Sequence, residues 1–530
     1  MSGNDTLWYK DAIFYEVHVR AFSDGDDDGR GDLRGLISKL DYLKDLGVDC
    51  IWLLPIYPSP LKDDGYDISD YYNIAPAYGT VDDFRTLLDQ AHARGLHVIM
   101  DLVLNHTSDQ HPWFQSARSS RTSPYRDYYV WSDNDQKYPG TRIIFRDTEK
   151  SNWSWDEQAG QYFWHRFYSS QPDLNYDNPA VRAEMLNVMK FWMDRGIDGF
   201  RADAVPYLFE REGSNCENLP ETHAYLKELR AFMDEHYPGR ILLCEANQWP
   251  EDVRPYFGDG NEFHMGFKFP IMPRLYMALK KGQRNDLLDI TRRTPSIPEN
   301  CQWCTFLRNH DELTLEMVTL AEREWMWEQY APDPRMRLNL GIRRRLAPLL
   351  DNDRRKLELA NSLLFTLPGS PIIYYGDEIG MGDNIWLADR NGVRTPMQWD
   401  DTSNAGFTKA EPFTSLPDGN YSPKHVNVAA QLADPDSLFH ALRRMIEVRK
   451  THRAFGWGSF EWVEAGTNSI AAYMRKYNNE TVLILNNLGG QKQVIRLPFG
   501  EALNILTGET FSLNSLTLQP FQYLWLLVNN

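Results

Sequence analysis

Cysteine is scarce in this chain: five residues, at positions 50, 216, 244, 301 and 304, among 530. So thin and odd a set is no disulfide framework. Cys301 and Cys304 have CxxC spacing, but without a second pair or a histidine partner they do not make a zinc site. They lie in an apolar stretch and read as buried thiols. Long apolar runs are missing too. No stretch reaches the roughly 18 residues that suggest a membrane-spanning helix, so a membrane partner is not expected. The opening Met1-Ser-Gly-Asn-Asp5 lacks the cationic and apolar blocks of an export signal, and a cytoplasmic location is expected. Positive charge is in deficit, with 56 Lys and Arg against 74 Asp and Glu and a net charge of −18. That balance argues against nucleic acid as a partner. Internal repeats and low-complexity segments are absent as well.

Aromatic residues, by contrast, are abundant, with 17 Trp and 27 Tyr. Such faces suit sugar rings, although most of them are expected in the core. The length calls for two or three domains. Strand-like and helix-like segments alternate through roughly the first 440 residues. The strands are read at Ile13–Val19, Cys50–Leu54, His97–Val103, Gly199–Asp203, Ile241–Glu245, Phe263–Phe269, Trp303 to His310 and Pro371–Tyr375. Helices are read at Leu33–Leu46, Val81–Arg94 (closed by Gly95), Ala180–Arg195 and 221–236. Eight strands with helices between them predict an α/β fold of the TIM type, a (β/α)8 barrel.

Two stretches interrupt the alternation. A Trp-, Tyr- and Ser-rich stretch over 106–175 is expected as a subdomain inserted after strand 3. A charged, helix-favouring stretch over 312–354 is expected as an insertion after strand 7. The barrel then comprises 1–105 and 176–454. Short strands at Ser469–Arg475, Thr481–Leu485 and Gln493–Leu497 predict an all-β sandwich domain over 455–530.

The chemistry lies at the strand ends. Three apolar runs break off at carboxylates, at Asp203, Glu245 and Asp311, and a fourth ends in Asn105-His106. The C-terminal ends of barrel strands converge on one mouth. Carboxylates gathered there perturb one another's pKa and can serve as the acid and the nucleophile of glycoside chemistry.

These segments also carry a family resemblance. Asp101-Leu-Val-Leu-Asn-His106, Gly199-Phe-Arg-Ala-Asp-Ala204, Glu245 and Asn309-His310-Asp311 resemble the four signature segments of the α-amylase family, glycoside hydrolase family 13. Gln171-Pro-Asp-Leu-Asn175 resembles the additional motif of its oligosaccharide-acting branch. The resemblance implies Asp203 as nucleophile, Glu245 as general acid/base and Asp311 as a stabiliser of the transition state. It further implies that Arg201 holds Asp203 ionised, that His106 and His310 bond sugar hydroxyls, and that Tyr66 stacks on the ring. Asp63, beside Asp64, would pair with Arg394 to grip the non-reducing end. The runs Asp203 to His223, Glu245 to Asp252 and Asn309 to Glu316 resemble the branch that interconverts maltose and trehalose without releasing glucose. Ala204 resembles enzymes acting on α-1,4 bonds, since α-1,6-specific relatives usually place Val there. Asn247 is the candidate for steering the rotating glucose, or else a strand-end amide bonded to backbone.

The loop Asp24-Gly-Asp26-Asp-Asp28-Gly-Arg30-Gly-Asp32 places oxygen ligands at alternate positions, as an EF-hand loop does, and resembles the divalent-metal loop of related α-glucosidases. An acidic turn is the alternative. A second site, implied by the resemblance, would use Asn105, Asp173, Glu210 and the backbone oxygens of Tyr207 and Leu208. All-oxygen ligands point to structural Ca2+, with Mg2+ an option in the first loop, and no organic cofactor is expected. The expected partner is a disaccharide substrate, and a homo-oligomer, dimer or tetramer, stays open. Two other readings also stay open: an α-glucosidase hydrolysing maltose- or sucrose-type glucosides, and a non-catalytic binding member.

Overall fold

Eight short runs, almost entirely buried, hydrogen-bond side by side into a closed ring: Phe14–Val17 (β1), Cys50–Leu53 (β2), His97–Val103 (β3), Gly199–Asp203 (β4), Ile241–Cys244 (β5), Met265–Phe267 (β6), Gln302–Phe306 (β7) and Ser370–Tyr374 (β8). Every pairing is parallel and follows chain order, and β8 closes on β1 through Phe14↔Ile372 and Glu16↔Tyr374. Strands covered by helices outside and by one another's side chains inside need apolar residues on both faces, which is why they read as runs without alternation. The computed structural model describes residues 5–528. The residues Met1–Asn4, part of the opening examined for an export signal, lie outside the described residues. Among the described residues no helix is long and apolar enough to cross a membrane.

Register places the chemistry. Asp101 pairs with Arg201 and Val103 with Asp203 across β3 and β4, and Arg201 pairs with Leu243 across β4 and β5. Side chains alternate along a strand, so Asp101, Arg201 and Asp203 share the interior face. Glu245 extends the same ladder one step past β5, its N–H donating to Ala202 O at 3.1 Å. Two residues beyond Leu243, it faces inward beside Asp203.

The outer helices follow their capping signals. Thr80 and Asp83 form a reciprocal capping box on Val81–Ala93, and the Asn178 side chain caps Pro179–Met193. The strands expected over Phe263–Phe269 and Trp303 to His310 are shorter, Met265–Phe267 and Gln302–Phe306, and two further expectations need correction. The first strand ends at Val17, because Val19 already opens a helical turn, Val19–Phe22. The helix expected over Leu33–Leu46 is two helices, Leu33–Ser38 and Leu40–Leu46, broken at Lys39 (φ −109°, ψ 5°). Its first turn lies so close to the preceding loop that a Cβ on Gly35 would come 1.9 Å from Ser23 O. Lys39 absorbs the change in direction.

Between β3 and β4 stand a helix, Pro112–Ser119, and a three-stranded antiparallel sheet with Gln161–Trp164 between Trp131–Ser132 and Trp153–Asp156. Phe114 packs its ring on Tyr129, Trp131 and Phe163. After β7 come a helix, Leu320–Tyr330, and a two-stranded hairpin, Arg337–Leu338 with Gly341–Ile342. From Ser459 a six-stranded antiparallel sheet faces a two-stranded one. Its two faces are both buried. Leu483, Leu485 and Leu526 pack toward the small sheet, whereas Val482, Ile484 and Trp525 join the barrel's own core.

Candidate active site

At the C-terminal mouth of the ring one guanidinium serves three acids. Arg201 Nη1 lies 2.6 Å from Asp203 Oδ1 and also pairs with Asp101, while Nη2 pairs with Glu245. Its side chain is 1% exposed, so it touches acids rather than solvent. Burial pushes the Asp203 carboxyl up, and Arg201 opposes this, the direction expected of a guanidinium beside it. Glu245 moves further. Burial first, then the negative charges of Asp203 and Asp311, push it up to about 8 against the pull of Arg201. Glu245 therefore carries the proton and Asp203 is its ionised partner. Adjacent strands lie about 4.8 Å apart. Acids on neighbouring strands suit direct carboxylate attack, which needs the two carboxyls about 5–5.5 Å apart. Ala204, in the left-handed region at φ 53°, turns the chain after the acid and points its N–H at Glu245 Oε2, 3.3 Å away.

Asp311 is ionised for a different reason. Burial alone would raise its carboxyl, but His310, Arg390 and Arg394 together hold it well below the usual range. Here the structure corrects a pairing. Asp63 meets Arg390 at 2.7 Å, and Arg394 meets Asp64 at 2.8 Å; both arginines reach Asp311 Oδ1 at 2.9 Å. Asp63 and Arg390 line the cavity, whereas Arg394, 1% exposed, braces the layer behind. Gln171 donates to Asp63 at 2.9 Å. Arg390 escaped the sequence reading, and its only signal was a position four residues before Arg394. His310 is likewise behind the wall rather than on it: it is buried, stacked on Tyr66 (rings 5.5 Å apart, 9° between planes), with Tyr66 Oη 2.9 Å from its Nε2. His106 does face the cavity, and burial pushes its imidazole down to about 3, so it is neutral.

Apolar rings, Phe145, Phe167 and Phe269, form much of the remaining wall. On the side beyond Glu245 stand Asn247, Thr314 and Glu316. Asn247 donates to Thr314 Oγ1 at 3.1 Å, while its Oδ1 is buried without a partner. The backbone-bonded alternative for this amide does not hold. Contacts from the inserted subdomain and from the segments after β4 and β7 form a partial roof over the cavity. Arg142, in the inserted subdomain, bonds Glu217 and Glu316 at 2.8 Å each and Tyr207 Oη at 3.1 Å. The hairpin residue Asn339 bonds Asp147 of the subdomain at 2.8 Å and Glu312 of the cavity wall at 3.2 Å.

Below the subdomain, three oxygens converge without partners: Asn105 Oδ1, Asp173 Oδ2 and Glu210 Oε1 are all buried and unbonded. Burial pushes Asp173 up to about 8, and burial together with the Asp173 charge raises Glu210 well above its ordinary value. Acids this costly to bury stay protonated or take a compensating cation. This donor set fits a hard, oxygen-loving metal ion. In the first loop the carboxylates of Asp24, Asp26 and Asp28 come within 4.8 Å of one another. Asp32 is otherwise engaged, since its oxygens accept the N–H groups of Gly25 and Gly35 as a helix cap.

Sequence and structure comparisons agree with this geometry. The family model for the alpha amylase catalytic domain matches residues 16–331 and 342–458, and the maltogenic amylase C-terminal domain matches 460–525. A trehalose synthase/amylase of Mycolicibacterium smegmatis is 58% identical over 510 residues, 93% of this chain and 86% of the relative. A trehalose synthase of Pimelobacter is 55% identical, covering 93% of this chain and 89% of the relative. Among solved structures, the trehalulose synthase MutB of Pseudomonas mesoacidophila superposes with a TM-score of 0.81 at 30% identity, covering 98% of this chain and 99% of that one.

Proposed function

Because this chain belongs to the α-amylase family, we propose that it interconverts maltose and trehalose by moving a glucosyl unit within one bound disaccharide. Asp203 attacks the anomeric carbon of maltose, and Glu245 gives its proton to the departing O4. A glucosyl ester and a free glucose result. The glucose turns in the space bounded by Asn247, Thr314 and Glu316, where the unpartnered Asn247 Oδ1 offers an acceptor. Its anomeric hydroxyl then attacks the ester while Glu245 takes the proton back. Two inversions retain the α configuration, giving the α,α-1,1 bond of trehalose.

The observation that supports the reading is a partly roofed cavity over an acid pair that shares one guanidinium. A hydrolase needs water to enter after the first step; an isomerase needs glucose to stay. A held nucleophile enjoys an effective molarity on the order of 10⁵ M or more, far above that of bulk water. Arg142, spanning the subdomain and the segments after β4 and β7, supplies the enclosure. Relatives more than half identical bear the name trehalose synthase, which supports the same assignment.

Asn105, Asp173 and Glu210 would hold a structural Ca2+ that ties the inserted subdomain to the barrel, and the Asp24–Asp28 carboxylates would hold a second divalent ion. Neither would enter the chemistry, which the carboxylates perform. The test is to incubate the purified protein with maltose alone and resolve trehalose, maltose and glucose over time. Trehalose in excess of glucose, and maltose returned from trehalose, are expected. Glucose at twice the maltose consumed, with no trehalose, would overturn the assignment in favour of an α-glucosidase.

A further inference from the structure

Glu16, at the inner end of β1, takes no part in the steps above, yet its placement is costly. It is 0% exposed. Its Oε1 lies 2.5 Å from His310 Nδ1 and accepts the His310 backbone N–H at 3.2 Å, while Oε2 has no partner. On the other side of the same ring, His310 Nε2 is 3.2 Å from Asp311 Oδ2 and 2.9 Å from Tyr66 Oη. The imidazole is therefore held between two carboxylates, one on each nitrogen. Other charged or titratable groups nearby are Asp101 on β3, Arg394, whose Nε bonds the His310 carbonyl at 2.9 Å, Tyr374 on β8, and Asp377 just after β8, the last two within reach of the Glu16 charge.

We propose that Glu16 is a positioning residue that keeps His310 an imidazolium, placing a fixed positive charge behind Asp311 and Tyr66 at the glucosyl site. The proposal rests on the glycoside chemistry assigned above. A neutral ring could donate from only one nitrogen. If Nδ1 kept its hydrogen for Glu16, Nε2 would turn a lone pair toward the Asp311 carboxylate, an unfavourable contact. As a cation, the ring donates from both nitrogens. Tyr66 Oη then accepts from His310, and its own hydrogen is free for another acceptor. Burial alone would favour the neutral ring, but Asp311 and Glu16 overcome it and raise His310 to about 9. Asp311, in turn, owes part of its ionisation to His310. Glu16 thus acts on the sugar site through a histidine, without touching the cavity.

The test pairs a spectrum with a rate. Nitrogen NMR of ¹⁵N-histidine-labelled protein, with His310 assigned by its loss in His310→Gln, should find both ring nitrogens protonated at pH 7.5. In Glu16→Gln one of them should be deprotonated. A neutral His310 in the unaltered protein, or a cation that survives Glu16→Gln, would overturn the proposal. The rate is measured on an aryl α-glucoside, which requires only formation of the glucosyl ester. Its outcome therefore does not depend on whether glucose or water completes the cycle. A protein that failed to make trehalose would defeat the function proposed above and leave this test intact. Glu16→Gln should lower kcat about tenfold at pH 7.5 and move the alkaline limb of the profile to lower pH by one unit or more. Glu16→Asp, which keeps the charge, should retain the native limb position even at a reduced rate. If both variants lose rate with the limb unmoved, Glu16 is a packing residue and the proposal fails.

Discussion

Replacing Arg142 with methionine tests the enclosure most directly, because it keeps the bulk of the side chain and removes its charge. The guanidinium makes ion pairs of 2.8 Å with Glu217 and with Glu316, and its side chain is 32% exposed. A dry charge-assisted hydrogen bond is worth about 1.5–3 kcal/mol, and solvent at a third-exposed site leaves roughly 1 kcal/mol per pair. Glu217 keeps a second partner in Arg166 at 2.9 Å, so its own loss is cushioned. The two pairs together favour the closed roof by about 2 kcal/mol, which is a factor of roughly 30 in the closed-to-open equilibrium. Water competes for the glucosyl ester only when the roof is open. At equal maltose conversion, the glucose-to-trehalose product ratio of Arg142→Met should therefore rise by about one order of magnitude, with roughly 30-fold as the ceiling. Total maltose consumption should fall far less, because neither Asp203 nor Glu245 is disturbed. The assay is chromatographic separation of the three sugars over time. An unchanged product ratio in a folded Arg142→Met variant would refute the argument that this arginine excludes water.

Three further outcomes follow from the site. Glu245→Gln should cut kcat on maltose by about 10²–10⁴, while α-glucosyl fluoride, whose leaving group needs no proton, keeps its first-step rate within about tenfold. Glu245 must be protonated to act and its carboxyl is pushed up to about 8, so kcat/KM should fall as pH rises through about 8. The acid limb follows Asp203, which must be ionised and sits above the ordinary carboxylate range; an alkaline limb below pH 6 would contradict this order. Adding Ca2+ to chelator-treated protein should raise Tm, and Asp173→Asn should abolish most of that rise. The ion needs Asp173 deprotonated, and burial pushes that carboxyl up to about 8, so the stabilisation should weaken as pH drops below 8.

The barrel and its acids were legible because each informative unit is contiguous: a run of apolar residues followed at once by Asp203, Glu245 or Asp311. What sequence could not decide was who faces whom. Asp63 and Asp64 are neighbours, Arg390 and Arg394 lie one helical turn apart, and the pairs form across 327 and 330 residues. Either assignment satisfies the charges, and only the loop geometry after β8 selects one. Depth was equally hidden. His310 and Arg394 read as sugar-binding from their motifs, yet each lies behind the carboxylate it supports. Arg142 and Glu16 carried no motif at all, because their roles depend on contacts with segments remote in the chain.

The ring closes last where its charges are balanced. Glu16, near the start of the chain, waits for His310, 294 residues later. Asp63 waits for Arg390, and Asp311 for Arg390 and Arg394, which follow the final barrel strand. At about 5–20 residues per second, synthesis leaves the early acids without these counter-ions for many seconds. A nascent chain therefore carries nucleophile, acid and sugar-facing aromatics well before it carries the cations that hold the acid layer. Competence should arrive in one step, when the segment through Trp399 emerges and docks, and ribosome-bound intermediates should be inert toward maltose. The order of strands around the ring thus sets when the acid layer receives its last counter-ions.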